Sequence, residues 1–161
     1  MKNSISLLFL VIFMSCNSNA QTVKIKKQTY PVQKTEAEWK AQLTELQYAV
    51  LRKSETERAF SSPLDKNYSP GTYVCAACNT AVYASEYKYD SGSGWPSFDR
   101  AIKNKVALDV DFEIGVARTE LKCATCGSHL GHSFDDGPRA TTGKRHCING
   151  AALKFIPEKK S

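Results

Sequence analysis

Thr72-Tyr73-Val74-Cys75-Ala76-Ala77-Cys78-Asn79-Thr80-Ala81-Val82-Tyr83 decides the fold, because a β-prone run leads into a C-x-x-C turn and a second leads out of it. This is a strand, a knuckle and a strand. A second knuckle, Cys123-Ala124-Thr125-Cys126, follows strand-like stretches within Phe112 to Lys122. Two such pairs, each on a tight turn that aims both sulfurs at one point, can fill the four tetrahedral positions of a zinc ion. Such a site is closed and therefore structural. Residues 79–122 separate the halves, far more than the roughly 15 to 20 residues of a compact zinc ribbon. The ion would thus clip together two distant pieces of sheet, at little more entropic cost than closing a short loop.

Working outward, Val106 to Asp111 alternates apolar with acidic or small residues, and Leu153-Lys154-Phe155-Ile156 forms a last strand closed by Pro157. Ahead of the first knuckle, Thr35-Glu36-Ala37-Glu38 has the spacing of a capping box, and Trp39, Leu43, Leu46 and Val50 recur at helical intervals. Thr44 and Gln47 repeat the box, so the segment divides into two short helices with a corner between them. Trp39 is read as a core anchor. Ser61-Ser62-Pro63 and Ser69-Pro70-Gly71 end the helical pattern. The expectation is a mainly β, mostly antiparallel domain over residues 35–157 with an amino-terminal helical cover, followed by a tail at 158–161.

The 161 residues, 42% apolar, suit one globular domain behind a removable front end. Ile5 to Met14, broken only by Ser6 and preceded by Lys2, is shorter than the roughly 20 apolar residues that span a bilayer. It reads as an export signal. Ser18 and Ala20 fit cleavage before Gln21, which makes residues 1–20 a signal peptide. Alternatively, Phe13-Met14-Ser15-Cys16 resembles a bacterial lipoprotein signal, in which residues 1–15 are removed and Cys16 is lipidated as a membrane tether. Either way the chain is expected in the periplasm or anchored to the cell envelope, with 21–34 as a flexible lead-in. The net charge of +6 comes from scattered lysines that cluster only at Lys24-Lys26-Lys27 and Lys159-Lys160, so no nucleic acid partner is expected. Export favours disulfides. Five usable thiols remain once Cys16 is discarded or capped, and five cannot all pair; four ligands and one nucleophile account for them.

That fifth thiol is Cys147, in Arg145-His146-Cys147-Ile148-Asn149. A lone thiol downstream of His129 and His132 is what an activated sulfur nucleophile requires. The two histidines, in Ser128-His129-Leu130-Gly131-His132-Ser133-Phe134, are expected on one side of an extended stretch. With four thiolates already available for a metal, they read as acid/base groups beside the thiol. Asp90-Ser91-Gly92-Ser93-Gly94-Trp95-Pro96-Ser97-Phe98 is a glycine-rich turn that presents an indole held by a proline.

Gly94-Trp95-Pro96-Ser97-Phe98, His129-Leu130-Gly131-His132, Phe134-Asp135-Asp136-Gly137-Pro138 and Arg145-His146-Cys147-Ile148-Asn149, set around the knuckles, resemble the B-type methionine sulfoxide reductases. The likeness covers roughly Glu36 to Ile156 and includes Glu57-Arg58-Ala59-Phe60. It implies two packed antiparallel sheets and, as substrate, the R epimer of methionine sulfoxide within oxidised proteins. By the same likeness Cys147 attacks the sulfoxide sulfur and becomes a sulfenic acid, Arg145 and His132 lower its pKa, and His132 with His129 protonates the oxygen. Trp95 would receive the substrate methyl, Asn149 would hydrogen-bond beside the nucleophile, and Phe134 would pack at the site. Ser93 stands where many members carry a resolving cysteine, which implies regeneration by an external thiol, a thioredoxin-like protein or a small reductant. His146, where the family often has an aromatic residue, is read as a tolerated surface substitution, with a titrating or hydrogen-bonding role as the alternative, and the enzyme as a monomer. The alternative is an exported zinc-ribbon binding module without catalysis, which leaves Cys147 and the histidines idle.

Overall fold

The computed structural model describes residues 29–159; the export segment, Cys16 and residues 160–161 lie outside them. Thr35 with Glu38 and Thr44 with Gln47 close the two capping boxes and open helices α1 (Glu36–Gln42) and α2 (Glu45–Lys53). Extended backbone at Leu43 turns the corner between them. That corner resets the helical phase. Trp39, Val50 and Leu51 are buried, whereas Leu46, counted with the apolar stripe, is 52% exposed because it begins a new helix instead of continuing the first one's face.

Three strands, β1 (Gly71–Cys75), β2 (Ala81–Ala84) and β9 (Leu153–Pro157), make a small antiparallel sheet with β1 in the middle. The carboxyl-terminal strand therefore closes on the first one. The larger sheet contains β3 (Lys88–Tyr89), β4 (Ser97–Phe98), β5 (Val106–Asp111), β6 (Arg118–Cys123), β7 (His129–Phe134) and β8 (Arg145–Ile148). Its order is β3-β4-β8-β7-β6-β5, antiparallel throughout. Tyr73 and Tyr83 carry their rings from the small sheet onto Phe98 of the large one, edge-on at 5.0 Å and stacked at 4.3 Å. Leu121, Leu130 and Ile148 complete this core with Trp39, Val50 and Leu51 from the helices. Burying an aliphatic side chain of this size contributes roughly 1.5–3 kcal/mol. A mainly β fold of two antiparallel sheets under short amino-terminal helices is thus what the chain adopts.

Register positions the chemistry. Cys147 pairs with His132 on one side and Ser97 on the other, Phe134 with Arg145, and Glu120 with His132. Residues directly opposite across strands point to the same face, so these groups share one face of the large sheet, while Phe98 and its partner His146 share the core face.

The lead-in is attached before α1 begins. Val32 donates its N–H to Thr125 of the second knuckle at 2.9 Å, and the Tyr30 ring lies where a side chain at Gly127 would stand. Little fixed structure was expected over 21–34; within its described part, 29–34, the knuckle supplies these contacts. Among the described residues no helix is long and apolar enough to cross a membrane.

Candidate active site

The two knuckles are built alike. The amide after each second cysteine, Asn79 or Gly127, donates to the carbonyl of the first cysteine, and the amides of Cys75 and Cys123 donate to Thr80 and Ser128. Asn79 and Gly127 both sit in the left-handed region, which asparagine and glycine tolerate. Cys75 ends a strand of the small sheet and Cys123 a strand of the large one, so the quartet joins the sheets. The sulfurs of Cys75, Cys78, Cys123 and Cys126 lie within 4.8 Å of one another, with Cys75–Cys126 at 3.8 Å and Cys78–Cys123 at 3.6 Å. Sulfurs about 2.3 Å from a common centre form a tetrahedron with edges of about 3.8 Å. The donor set and its geometry fit a metal ion.

Cys147 stays apart from that quartet. Half-buried on β8, it opens into a pocket of about 170 Å³ shared with Trp95, His132, Phe134, Asn149 and Arg118. Burial pushes its thiol above the ordinary 9.0; the Arg145 charge and the Ser93 hydroxyl pull the other way without prevailing. A net lowering was expected, and desolvation reverses it. Arg145 is held by two parallel hydrogen bonds to Asp136, at 2.8 and 2.9 Å, and lies 4.4 Å over the Phe134 ring. Ser93 Oγ stands 3.9 Å from Cys147 Sγ and is tied through Ser91 to Ser97.

The pocket wall hangs on Glu57, a residue whose role no sequence spacing announced. Its carboxylate accepts from the amides of Gly150 and Ala151 at 2.5 and 2.8 Å, its carbonyl accepts from the Trp95 indole at 3.1 Å, and its amide donates to Asn149 Oδ1 at 3.0 Å. Asn149 Nδ2 donates to the Leu130 carbonyl. Both ends of the Asn149 amide are therefore committed to backbone, and it fixes the wall.

His129 and His132 have ring centroids 5.2 Å apart, on one side as expected, although a three-residue separation in a regular strand places side chains on opposite faces. A bulge brings them together. Leu121 pairs with Gly131 while Lys122 pairs with His129, so Leu130 is the extra residue. Gly131 permits this, since a Cβ there would stand 2.0 Å from the Cys147 carbonyl. Each imidazole has its own carboxylate, unforeseen from spacing: His129 Nδ1 meets Glu120 at 2.7 Å, and His132 Nε2 meets Asp111 at 2.7 Å. Asp111 also takes the Glu113 amide and the Arg118 guanidinium, and those contacts with His132 lower its pKa to about 2. Burial works against the Glu120 charge, yet His129 and Lys122 keep that carboxyl below its usual range. Burial pushes His132 below 6.5, with Asp111 opposing.

His146 is no surface substitution. It faces the core, its Nδ1 3.2 Å from the Tyr83 hydroxyl and its ring edge-on to Tyr83, and burial lowers its pKa to about 4. The aromatic character of the position survives as a ring contact with a hydrogen bond added.

A thiol apart from the cysteine quartet, open to a pocket sized for one side chain and set across from the carboxylate-held imidazole of His132, is equipped for sulfur chemistry. The family model described as SelR domain matches residues 43–157. The chain is 52% identical to the peptide methionine sulfoxide reductase MsrB of Leptospira interrogans over 130 residues, 80% of this chain and 98% of that protein. It is 47% identical to that of Bradyrhizobium diazoefficiens, over 84% and 97% of the two chains, and 49% identical to that of Methanosarcina barkeri, over 80% and 91%. The chain belongs to the SelR family, the B-type peptide methionine sulfoxide reductases. A binding module without catalysis is thereby set aside.

Proposed function

We propose that Cys147 is the atom that accepts oxygen from the R epimer of methionine sulfoxide. The observation that supports this best is the placement of its free thiol directly across from His132, in the pocket that Trp95 walls. The Cys147 sulfur forms a bond to the sulfoxide sulfur while the sulfoxide oxygen is protonated; the hydroxyl then passes from the substrate sulfur to the Cys147 sulfur as the new S–S bond breaks, leaving methionine as thioether and Cys147 as sulfenic acid. The thiol is oxidised by two electrons and the sulfoxide reduced by two. His132 supplies the proton, Asp111 orients its ring, and His129 with Glu120 stands behind it. Arg145, locked by Asp136, favours the thiolate, and Trp95 packs against the substrate methyl to select the epimer.

Regeneration falls to an external thiol, thioredoxin-like or small, because Ser93 faces the sulfur where a second cysteine would close an internal disulfide. The external thiol condenses with the sulfenic acid, releasing water, and a second thiol frees Cys147. We assign zinc to the quartet, where it braces the two sheets and takes no part in the reaction. Export, with Cys16 as lipid attachment, completes the proposal; labelled fatty acid retained after Cys16→Ala would remove the lipid. The test of the chemistry is turnover of a methionine sulfoxide peptide, resolved by epimer, with a dithiol reductant. The R epimer alone should be consumed, and Cys147→Ser should consume neither.

A further inference from the structure

The hairpin of β5 and β6 exposes an apolar patch that the chemistry above does not use. Leu108, Val110, Phe112, Ile114 and Val116 are each between 58% and 66% exposed. Leu108 and Val110 alternate with Asp109 and Asp111 and so point away from the face that carries His132, whereas Phe112, Ile114 and Val116 follow Asp111 in the turn, where three exposed apolar side chains within five residues make a surface of the kind that binds a partner. β5 is also the edge strand of the large sheet. The same hairpin reaches the pocket, because Arg118 lines it and Asp111 bridges Arg118 to His132.

We propose that this hairpin is the docking surface for the polypeptide that flanks the oxidised methionine, bound in an extended, unfolded form. The proposal rests on the pocket reducing methionine sulfoxide and adds where the rest of the substrate lies. A polypeptide cannot present one side chain to the pocket without laying its neighbours on the surface beside it. Methionine is among the residues most often buried, so sequences around it tend to be apolar and come free only when the damaged protein opens. β5 stands three strands from Cys147, about 14 Å at about 4.8 Å per strand. Four to five residues of extended chain cover that distance at about 3.3 Å each. A second copy of this chain fits the patch less well: two-fold antiparallel pairing of β5 centred on Asp109 or Val110 sets Asp109 against Asp109 or Asp111, and like charges directly opposite destabilise.

The test compares two substrates, N-acetyl methionine-R-sulfoxide and an unfolded peptide with a central sulfoxide and apolar residues four to five positions away. In Phe112→Ser/Ile114→Ser/Val116→Ser, KM for the peptide should rise about thirtyfold with kcat unchanged, about threefold for each of three side chains that are only partly covered by the peptide. Both constants for the single-residue substrate should stay as they were. Ile114→Ser alone, which leaves both strands untouched, should raise the peptide KM about threefold. Equal effects on the two substrates, or none on either, would overturn the docking and leave the chemistry standing. Failure of the unaltered enzyme on both substrates would overturn both. A concentration-dependent dimer that the triple substitution abolishes would give the patch to a second copy, and loss of binding to phosphatidylglycerol vesicles would give it to lipid; either result overturns the proposal.

Discussion

Cys147 and His132 titrate in reverse of their working forms. Burial holds the thiol above 9.0 and the imidazole below 6.5, while the proposed reaction uses thiolate and imidazolium. Across the pH range between those values the pair carries one proton in total, as the reacting form also does, so kcat/KM should be level there. Below the His132 value the pair holds one proton too many; above the Cys147 value it holds one too few. Activity should therefore fall on both sides. Replacing Asp111 by Asn removes a contact that raises His132, so the acid limb should move to lower pH. Arg145→Met removes the charge that lowers Cys147, so the alkaline limb should move higher. A profile in which neither limb moves would contradict these roles. Ser93→Cys places a second sulfur beside the first, and non-reducing mass analysis after one turnover should find an internal disulfide that the parent lacks. The departure at Ser93 was legible because it is one residue read against a motif. His146 was misread, since nothing in its neighbours' identities reveals that Tyr83 waits across the core.

Among the elements, the bulge at Leu130 matters most, because it converts two histidines on alternate faces into one cluster. Gly131→Ala would force the β7 and β8 backbones apart at Cys147; loss of activity should exceed loss of thermal stability, read as residual turnover well below the midpoint. The Glu57 segment is the other device. Glu57→Ala leaves the Gly150 and Ala151 amides unpaired and should cost about 2–4 kcal/mol in denaturant unfolding, roughly 1–3 for each buried donor with partial relaxation. Helices, capping boxes and knuckles were legible because their signals are local, within four residues of chain. The bulge and the Glu57 connections were not, since the bulge depends on cross-strand register, with partners seven and ten residues apart, and Glu57 on partners 92 and 93 residues away.

At the scale of the whole molecule, the division of sulfurs organises everything else. Among the described residues, four cysteines cluster where the two sheets meet, in position to hold a metal, and one stands apart in the pocket. Prolonged treatment with a strong chelator should release one metal ion per chain and lower the thermal midpoint substantially; an unchanged midpoint with no metal recovered would count against the quartet's role. Under the docking proposal, the turn that follows Asp111 would hold the flanking chain while the pocket holds the sulfoxide, with Asp111 and Arg118 joining the two places. Topology that follows from cross-strand register, such as the closing of β9 on β1, lay beyond what alternation of residues could tell.

The decisive measurement is a single turnover without reductant, in which the enzyme is mixed with an equal amount of methionine-R-sulfoxide peptide, trapped with a cyclic dione specific for sulfenic acids, and mapped by peptide mass spectrometry. One adduct on Cys147, formed in step with methionine and not with the S epimer, is the expected result. Methionine released with Cys147 unmodified, or an adduct on any cysteine of the quartet, would contradict the account.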